Sequence, residues 1–417
     1  MIFKMSGLCK NPKLQIIEKI LTEKQLPNYD DFFDILNKMF DVLENEDCCY
    51  RQKNDDGKCG GLIDFKKDDK LTIVVPDLHA RPEFLLNILN CKIKFLLSKT
   101  DFKLFLKQNH KSAKNLCIFD GLLQDCVRLV FVGDILHSER NRLRWKKIEQ
   151  EFKNGIFTGK NICKEMGEGL SLWNALCNLK INFSQNVHIL KGNHENILNK
   201  TENGDYAFKK FVEEGDMCRI FIKNYYGDDI LYLIHCMEKS LPIVFAGKNV
   251  VVSHAEPAFG FSKSQIINAN KFSEVIEGFT WTANGDAQEG SVEAVIKNLF
   301  CDEKKSESKN NEFFENKNVK TKNLKSDNIE DGENFKSKNC EFNVNIDENL
   351  KTDFEQNCVY LAGHRPVKKL FELRQGGKFI QFHNPCMQNV AVVFPEKKFN
   401  PNEDIKCLEY KKNCNAD

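Results

Sequence analysis

The chain reads as an α/β fold built in layers. Three observations predict it. First, five apolar runs of strand length each lead into a polar group: Leu71–Val75 before Pro76-Asp77-Leu78-His79, Arg128–Val132 before Gly133-Asp134, Val187–Leu190 before Gly192-Asn193-His194-Glu195, Asn249–Val252 before Ser253-His254, and Val359–Leu361 before Gly363-His364. Second, segments with helical spacing lie between these runs. Third, short apolar runs punctuated by Gly-Gly close the pattern after residue 357. Strands alternating with helices are the signature of an α/β layered domain.

Taken in order, residues 1–70 carry amphipathic stretches at Leu14–Thr22 and Tyr29–Leu43, then a polar link from Asn54 to Gly61. They are expected to form an N-terminal helical appendage on a main domain spanning residues 71–394. After the first strand, Pro82–Leu97 repeats apolar residues at helical spacing. Arg142–Lys153 and Gly169–Leu179 do the same between the second and third strands. Residues 301–356 are dominated by Asn, Lys, Glu, Asp and Ser. Such a segment buries too little apolar surface to offset its ordering entropy, so it is expected to be a disordered insertion extruded as a loop. Val367–Leu373, Lys378–His383 and Val390–Phe394 read as further short strands, with Gly376-Gly377 as a hairpin turn, forming an antiparallel meander. Residues 395–417 read as a charged, peripheral tail.

Composition narrows the function. The chain has 417 residues, 41% hydrophobic and 29% charged, enough for a sizeable core. A net charge of +1 gives no field favouring nucleic acid or an acidic membrane. No apolar stretch approaches the roughly 20 residues that span a bilayer, and the start lacks a signal-peptide core, so a cytoplasmic protein is expected. The 17 cysteines include no Cys-x-x-Cys pair and read as free thiols. Cys48, Cys49 and Cys59 lack a fourth ligand for a small metal site.

The five polar groups carry the chemistry. Metal ions of hard or intermediate character need several oxygen and imidazole donors at one point, and the carboxyl ends of strands supply such a crevice. Asp77 and His79, one residue apart, can turn to one ion. Asp134 has two oxygens and can bridge two ions. Asn193 offers an amide oxygen, and His254 and His364 offer imidazole nitrogens. No cysteine is among them, which disfavours a structural zinc site and favours hydrolytic manganese, iron or zinc. A pair of ions roughly 3.5–4 Å apart lowers the pKa of a shared water toward about 7 and clamps phosphoryl oxygens. His194, beside a ligand, is free to act as the acid for a leaving group.

These motifs resemble the calcineurin-like metallophosphoesterase superfamily, most closely its phosphoprotein phosphatase branch, over roughly Leu71 to Phe394 without the insertion. The family's motifs read GDxHG, GDxxDRG, GNHE, HGG and GH. The resemblance implies a four-layer αββα sandwich with mixed central sheets. It implies Asp77, His79 and Asp134 on a first divalent ion, and Asp134, Asn193, His254 and His364 on a second. Manganese is expected first, with iron, zinc or nickel as alternatives. Leu241-Pro242-Ile243, Phe382-His383-Asn384-Pro385 and Pro366 also fit that branch.

The departures fall on substrate binding. Pro76 replaces the first glycine, and Ala80-Arg81 replace a glycine and its neighbour. In Gly133–Arg140, His137 and Ser138 stand where the family has Asp and Arg. Glu139 is then expected to orient His194, and Arg140 to grip phosphate. Ala255-Glu256 replace the glycines of HGG. No arginine occurs between His254 and His364, leaving Arg81 and Arg365 as further phosphate-binding candidates. His110, His188, His235 and His383 are assigned to packing or surface, and Trp281 to a core or pocket wall. The basic run through Arg140, Arg142, Arg144, Lys146 and Lys147 reads as a solvated helix face, with an anion-steering rim, Arg140 innermost, as the alternative. The expected activity is hydrolysis of phosphomonoesters in a small molecule or phosphoprotein. A nucleotide phosphodiesterase or dinucleoside polyphosphate hydrolase is the rival, and a non-catalytic scaffold of the same fold is the alternative of another class.

Overall fold

Strands buried on both faces build the centre of the molecule. The computed structural model describes residues 11–109, 114–300 and 357–410. His110 and the insertion expected at 301–356 lie outside them. The strands are β1 (Leu62–Phe65), β2 (Leu71–Val75), β3 (Val127–Phe131), β4 (Val187–Ile189), β5 (Val244–Gly247), β6 (Val250–Ser253), β7 (Val359–Ala362), β8 (Glu372–Arg374), β9 (Phe379–Gln381), β10 (Met387–Val393) and β11 (Ile405–Tyr410). They form a six-stranded sheet, ordered β1-β5-β6-β7-β9-β8, and a five-stranded sheet, ordered β11-β10-β2-β3-β4. Both are mixed. Within them, β2, β3 and β4 run parallel as neighbours, and so do β6, β7 and β9.

Side chains alternate across each strand and sort into three cores. Val74, Val130, Val132, Val250, Val252, Val359 and Leu361 fill the space between the sheets. Ile73, Val75, Leu129 and Phe131 face outward from the five-stranded sheet into helices. Val251, Tyr360 and Ala362 face outward from the six-stranded sheet into a smaller helical layer. This is the four-layer αββα sandwich. The double burial explains why the parent sequences read as near-continuous apolar runs rather than alternating ones.

Most helices match their patterns with small shifts, but Pro82–Leu97 is divided into Pro82–Asn90 and Ile93–Leu96 by extended backbone at Cys91 and Lys92. Leu14–Thr22 becomes Pro12–Glu23, capped by the Asn11 side chain, and Tyr29–Leu43 becomes Tyr29–Glu44, capped by Asn28. The Arg142–Lys153 helix has the expected bounds. Gly169–Leu179 extends to Lys160–Asn182, because its first two turns also bury Ile162 and Met166.

Three expectations are corrected. Residues 1–70 are more than a helical appendage, since β1 pairs in parallel with β5 as an edge of the six-stranded sheet. The tail from residue 395 is not peripheral over its described part, because β11 is the edge of the five-stranded sheet, antiparallel to β10. The closing meander is divided. The Gly376-Gly377 turn joins β8 and β9 antiparallel, yet β9 lies parallel to β7 and β10 crosses to the other sheet beside β2. Gly376 and Gly377 take φ of 64° and 87°, which glycine adopts without a Cβ clash.

Candidate metal centre

Six strand ends meet at one edge of the sandwich. From the five-stranded sheet come Asp77 and His79 after β2, Asp134 after β3 and Asn193 after β4. From the six-stranded sheet come His254 after β6, His364 after β7 and His383 after β9. The backbone turns sharply at these ends: His79, Asp134 and His364 have φ of 43°, 52° and 65°. Glycine makes room beside them. A Cβ on Gly363 would lie 1.9 Å from Asp77 Oδ1, and one on Gly192 would lie 2.3 Å from Asp134 Oδ1.

Backbone contacts lock the loops together. The His79 and Ala80 amides donate to the Asp134 and Ile135 carbonyls at 2.7 and 2.8 Å. The buried Glu195 carboxylate accepts the amides of Asp134, Ile135 and Gly192 at 2.8, 3.0 and 2.8 Å. Glu195 therefore holds the Gly-Asn-His-Glu loop against the Gly-Asp loop, as its place in the motif suggests.

The donor atoms converge. His254 donates Nδ1–H to the Val132 carbonyl at 3.0 Å, which leaves Nε2 as a lone-pair donor. That Nε2 lies 2.8 Å from Asn193 Oδ1, 3.2 Å from His364 Nδ1 and 3.5 Å from Asp134 Oδ2. His79 likewise bonds the His137 carbonyl through Nδ1 at 3.1 Å, leaving Nε2 at 3.5 Å from Asp134 Oδ2 and 3.9 Å from Asp77 Oδ2. The sequence-derived set of six residues is thus brought together around two poles, with Asp134 between them.

Buried polar atoms without a partner are rare because each is costly. Here Asp77 Oδ2, His364 Nε2 and His383 Nδ1 have none among the described residues. Such a gathering of acceptors fits divalent cations. Burial pushes Asp134 well above the usual carboxylate range, with the charges of Asp77 and Glu195 adding to it. A cation between them would reverse that penalty. Burial also holds the imidazoles of His79, His254 and His364 below the usual histidine range, in the neutral form that binds metal. The buried groups able to hold an ion include Asp77-Asp134-His254 and Asp77-His79-His383.

His194 sits at the mouth, with its amide donating to Asp134 Oδ1 at 3.0 Å. Its ring stacks on Phe208 with centroids 4.3 Å apart. Its Nδ1 lies 2.7 Å from His137 Nδ1, so one proton is shared between two imidazoles. Burial pushes His137 down to about 3. Burial also depresses His194, with His137 and His79 adding to the effect.

Several expectations shift here. His137, not Glu139, is the partner of His194. Glu139 turns the other way: its Oε1 pairs with His383 Nε2 at 2.6 Å and its Oε2 accepts from Lys210 at 2.9 Å. Arg81 does not face a substrate. It is buried, and its guanidinium donates to the carbonyls of Asp77, Leu78, Asn384 and Met387. Arg140 Nη2 is drawn to Glu83 at 3.1 Å. Arg365 is exposed, one residue past His364. His383, assigned to packing or surface, lies fully buried at the centre. The signal was present, because it too ends an apolar run, Phe379–Phe382. Elsewhere, Cys59 Sγ is turned toward the Glu44 carbonyl at 3.2 Å, apart from the exposed Cys48 and Cys49. Among the described residues no helix is long and apolar enough to cross a membrane.

No family profile and no curated protein sequence matches the chain. Solved structures do. A cold-active protein-tyrosine phosphatase of a psychrophile, Shewanella sp., aligns over 82% of this chain and 80% of that one at 14% identity, with a TM-score of 0.34, too low to carry an argument. A protein serine/threonine phosphatase from Saccharomyces cerevisiae, described as similar to human phosphatase PP5, aligns over 96% of both chains at 12% identity, with a TM-score of 0.50. With its paired mixed sheets and flanking helices, the chain has a four-layer αββα fold, shared over nearly its whole length with that phosphatase.

Proposed function

We propose that the protein is a dinuclear metal-dependent phosphomonoesterase. The observation that carries this reading is the convergence of Asp77, His79, Asp134, Asn193, His254 and His364, with buried acceptors among them that no donor among the described residues satisfies. Asp77, His79 and Asp134 would hold one divalent cation, and Asp134, Asn193, His254 and His364 the other. When bound, the cations draw electron density from phosphoryl oxygens and acidify water toward a pKa of about 7. The donor set of carboxylate, amide and imidazole suits manganese, iron, zinc or nickel.

The chain's own groups supply the rest. His194 Nδ1 is engaged by His137, so Nε2 is the atom that hands a proton to the leaving oxygen. Phe208 and His137 fix the ring plane, and the His194 amide is anchored on Asp134. Arg365, exposed beside His364, is the guanidinium left to meet phosphoryl oxygens, since Arg81 and Arg140 are engaged elsewhere. The shared fold with a protein serine/threonine phosphatase supports a phosphorylated protein side chain as substrate, with small phosphomonoesters as surrogates.

The test loads the full chain separately with manganese, iron, zinc and nickel. Hydrolysis of an aryl monophosphate is then compared with that of the matching diester. Monoester turnover is expected to exceed diester turnover. His194→Ala should lower kcat by about 10²–10⁴-fold while retaining both ions, the range for a positioned proton donor. Faster diester cleavage would move the protein to the phosphodiesterase reading. Two bound ions with no turnover of any ester would make it a scaffold.

A further inference from the structure

We propose that His383 is a seventh protein ligand of this dinuclear centre, bound through Nδ1 on the Asp77–His79 side, with Glu139 as the positioning residue that fixes its ring. The inference rests on the metal-centre reading above and extends it to a residue outside that ligand set.

The argument starts from topology. β9 lies parallel to β7, which lies parallel to β6, so all three end at the same edge of the six-stranded sheet. His254 and His364 follow the first two ends, and His383 follows the third. Like His254, it has no exposed surface. A histidine placed there cannot turn to solvent and must find partners inside.

Its two nitrogens find different ones. Nε2 lies 2.6 Å from Glu139 Oε1. The other oxygen of that carboxylate accepts from the Lys210 ammonium at 2.9 Å, which suits an ionised acid. A carboxylate can only accept, so the His383 proton sits on Nε2. Nδ1 is then left with a lone pair. It has no hydrogen-bond partner among the described residues, and it faces Asp77 Oδ2, which has none either. The two atoms are 3.8 Å apart. That distance is too long for a hydrogen bond, so an alternative proton on Nδ1 would not satisfy the pair. Two buried acceptors facing each other are unfavourable unless something positive lies between them.

The third donor is already aimed. His79 Nε2 lies 3.9 Å from the same Asp77 Oδ2, and its other nitrogen is occupied by the His137 carbonyl. Asp77, His79 and His383 each offer an atom within 4.8 Å of the others. The arrangement Glu139–His383–cation is the carboxylate–histidine–metal relay, in which an outer carboxylate fixes the tautomer and raises ligand basicity. A second imidazole on the first cation also shifts its donor set toward nitrogen. That favours zinc, iron or nickel over magnesium and manganese at this position.

The experiment uses the full-length chain, stripped of metal and titrated with zinc by calorimetry, with elemental analysis of the loaded protein. The wild type is expected to take two ions. His383→Ala should weaken one of them by 100-fold or more. Glu139→Gln, which keeps the shape, should weaken the same ion by about 10–100-fold, the range for outer partners of metal ligands. Circular dichroism and thermal unfolding of the variants without metal check that they fold. Independently of any variant folding, nitrogen-15 spectra of the histidine rings in the zinc-loaded wild type should show His383 metal-bound at Nδ1 and protonated at Nε2. Two ions in the wild type, unchanged affinity in His383→Ala and a metal-free His383 ring would overturn this inference alone. A wild type that binds no ion would overturn the metal-centre reading with it.

Discussion

At the scale of single residues, the site depends on atoms that are missing as much as on those present. Gly363 has no Cβ, and that gap lets the Asp77 carboxylate swing against the backbone before His364, whose amide donates to it at 3.1 Å. Gly363→Ala is therefore expected to push the carboxylate out of line. Both metal uptake and thermal stability should fall, the latter by about 1–3 kcal/mol as for an overpacked core position. Elemental analysis and a melting curve check it. The non-glycine residues with left-handed backbone at His79, Asp134 and His364 add local strain of about 1–3 kcal/mol each, the kind held at functional sites. The six converging residues were legible because a polar group closing a buried strand is informative by itself. The His137–His194 pair was not, because those residues are far apart in sequence and the motif reserves a carboxylate for that place. Glu139 was legible as a site residue, but its direction was not, since one peptide step reverses which way a side chain points.

At the scale of elements, the first helices are pinned by a buried ionic knot. Glu46, just past the helix Tyr29–Glu44, accepts from Arg51 and from Lys180 on the helix Lys160–Asn182, and all three are buried. Burial alone would raise the Glu46 pKa, but Lys180 and Arg51 outweigh it and hold it below its ordinary 4.5. A depressed folded pKa contributes stability above the unfolded value that is lost as pH falls through the folded one. Glu46→Gln, which strands two buried cations, is expected to cost about 3–5 kcal/mol at neutral pH. The gap to wild type should shrink below about pH 4.5, and denaturant melts at pH 7 and pH 4 measure it. The sequence placed the helices Pro12–Glu23, Tyr29–Glu44 and Arg142–Lys153 well, because amphipathic spacing is a local property. It missed β1, β5 and β11. β11 is an edge strand of mixed charge, Ile405-Lys406-Cys407-Leu408-Glu409-Tyr410, exposed at its last two residues and lacking an apolar run. β1 is only four residues long, and β5 is hidden in one apolar stretch with β6, divided by a tight turn at Lys248-Asn249.

At the scale of the whole molecule, the two sheets already share an apolar interior that does not involve the site. The fold is therefore expected to survive chelation, with secondary structure unchanged by circular dichroism. Binding that favours the folded state still adds to stability, by about 2.7 kcal/mol for a ligand at one hundred times its dissociation constant, so the melting temperature should climb with added zinc or manganese. The layered fold was legible because buried parallel strands write long apolar runs. Which strands belong to which sheet was not, since pairing is settled by packing rather than by any local signal. The donor atoms are divided between the sheets, Asp77, His79, Asp134 and Asn193 on one and His254 and His364 on the other. A cation seated among them would be a clasp across the seam. Removing it should let the two halves of the sandwich breathe against each other. Deuterium uptake by amides of β3 and β6, compared with and without metal, is expected to rise on chelation while the outer helices stay unchanged.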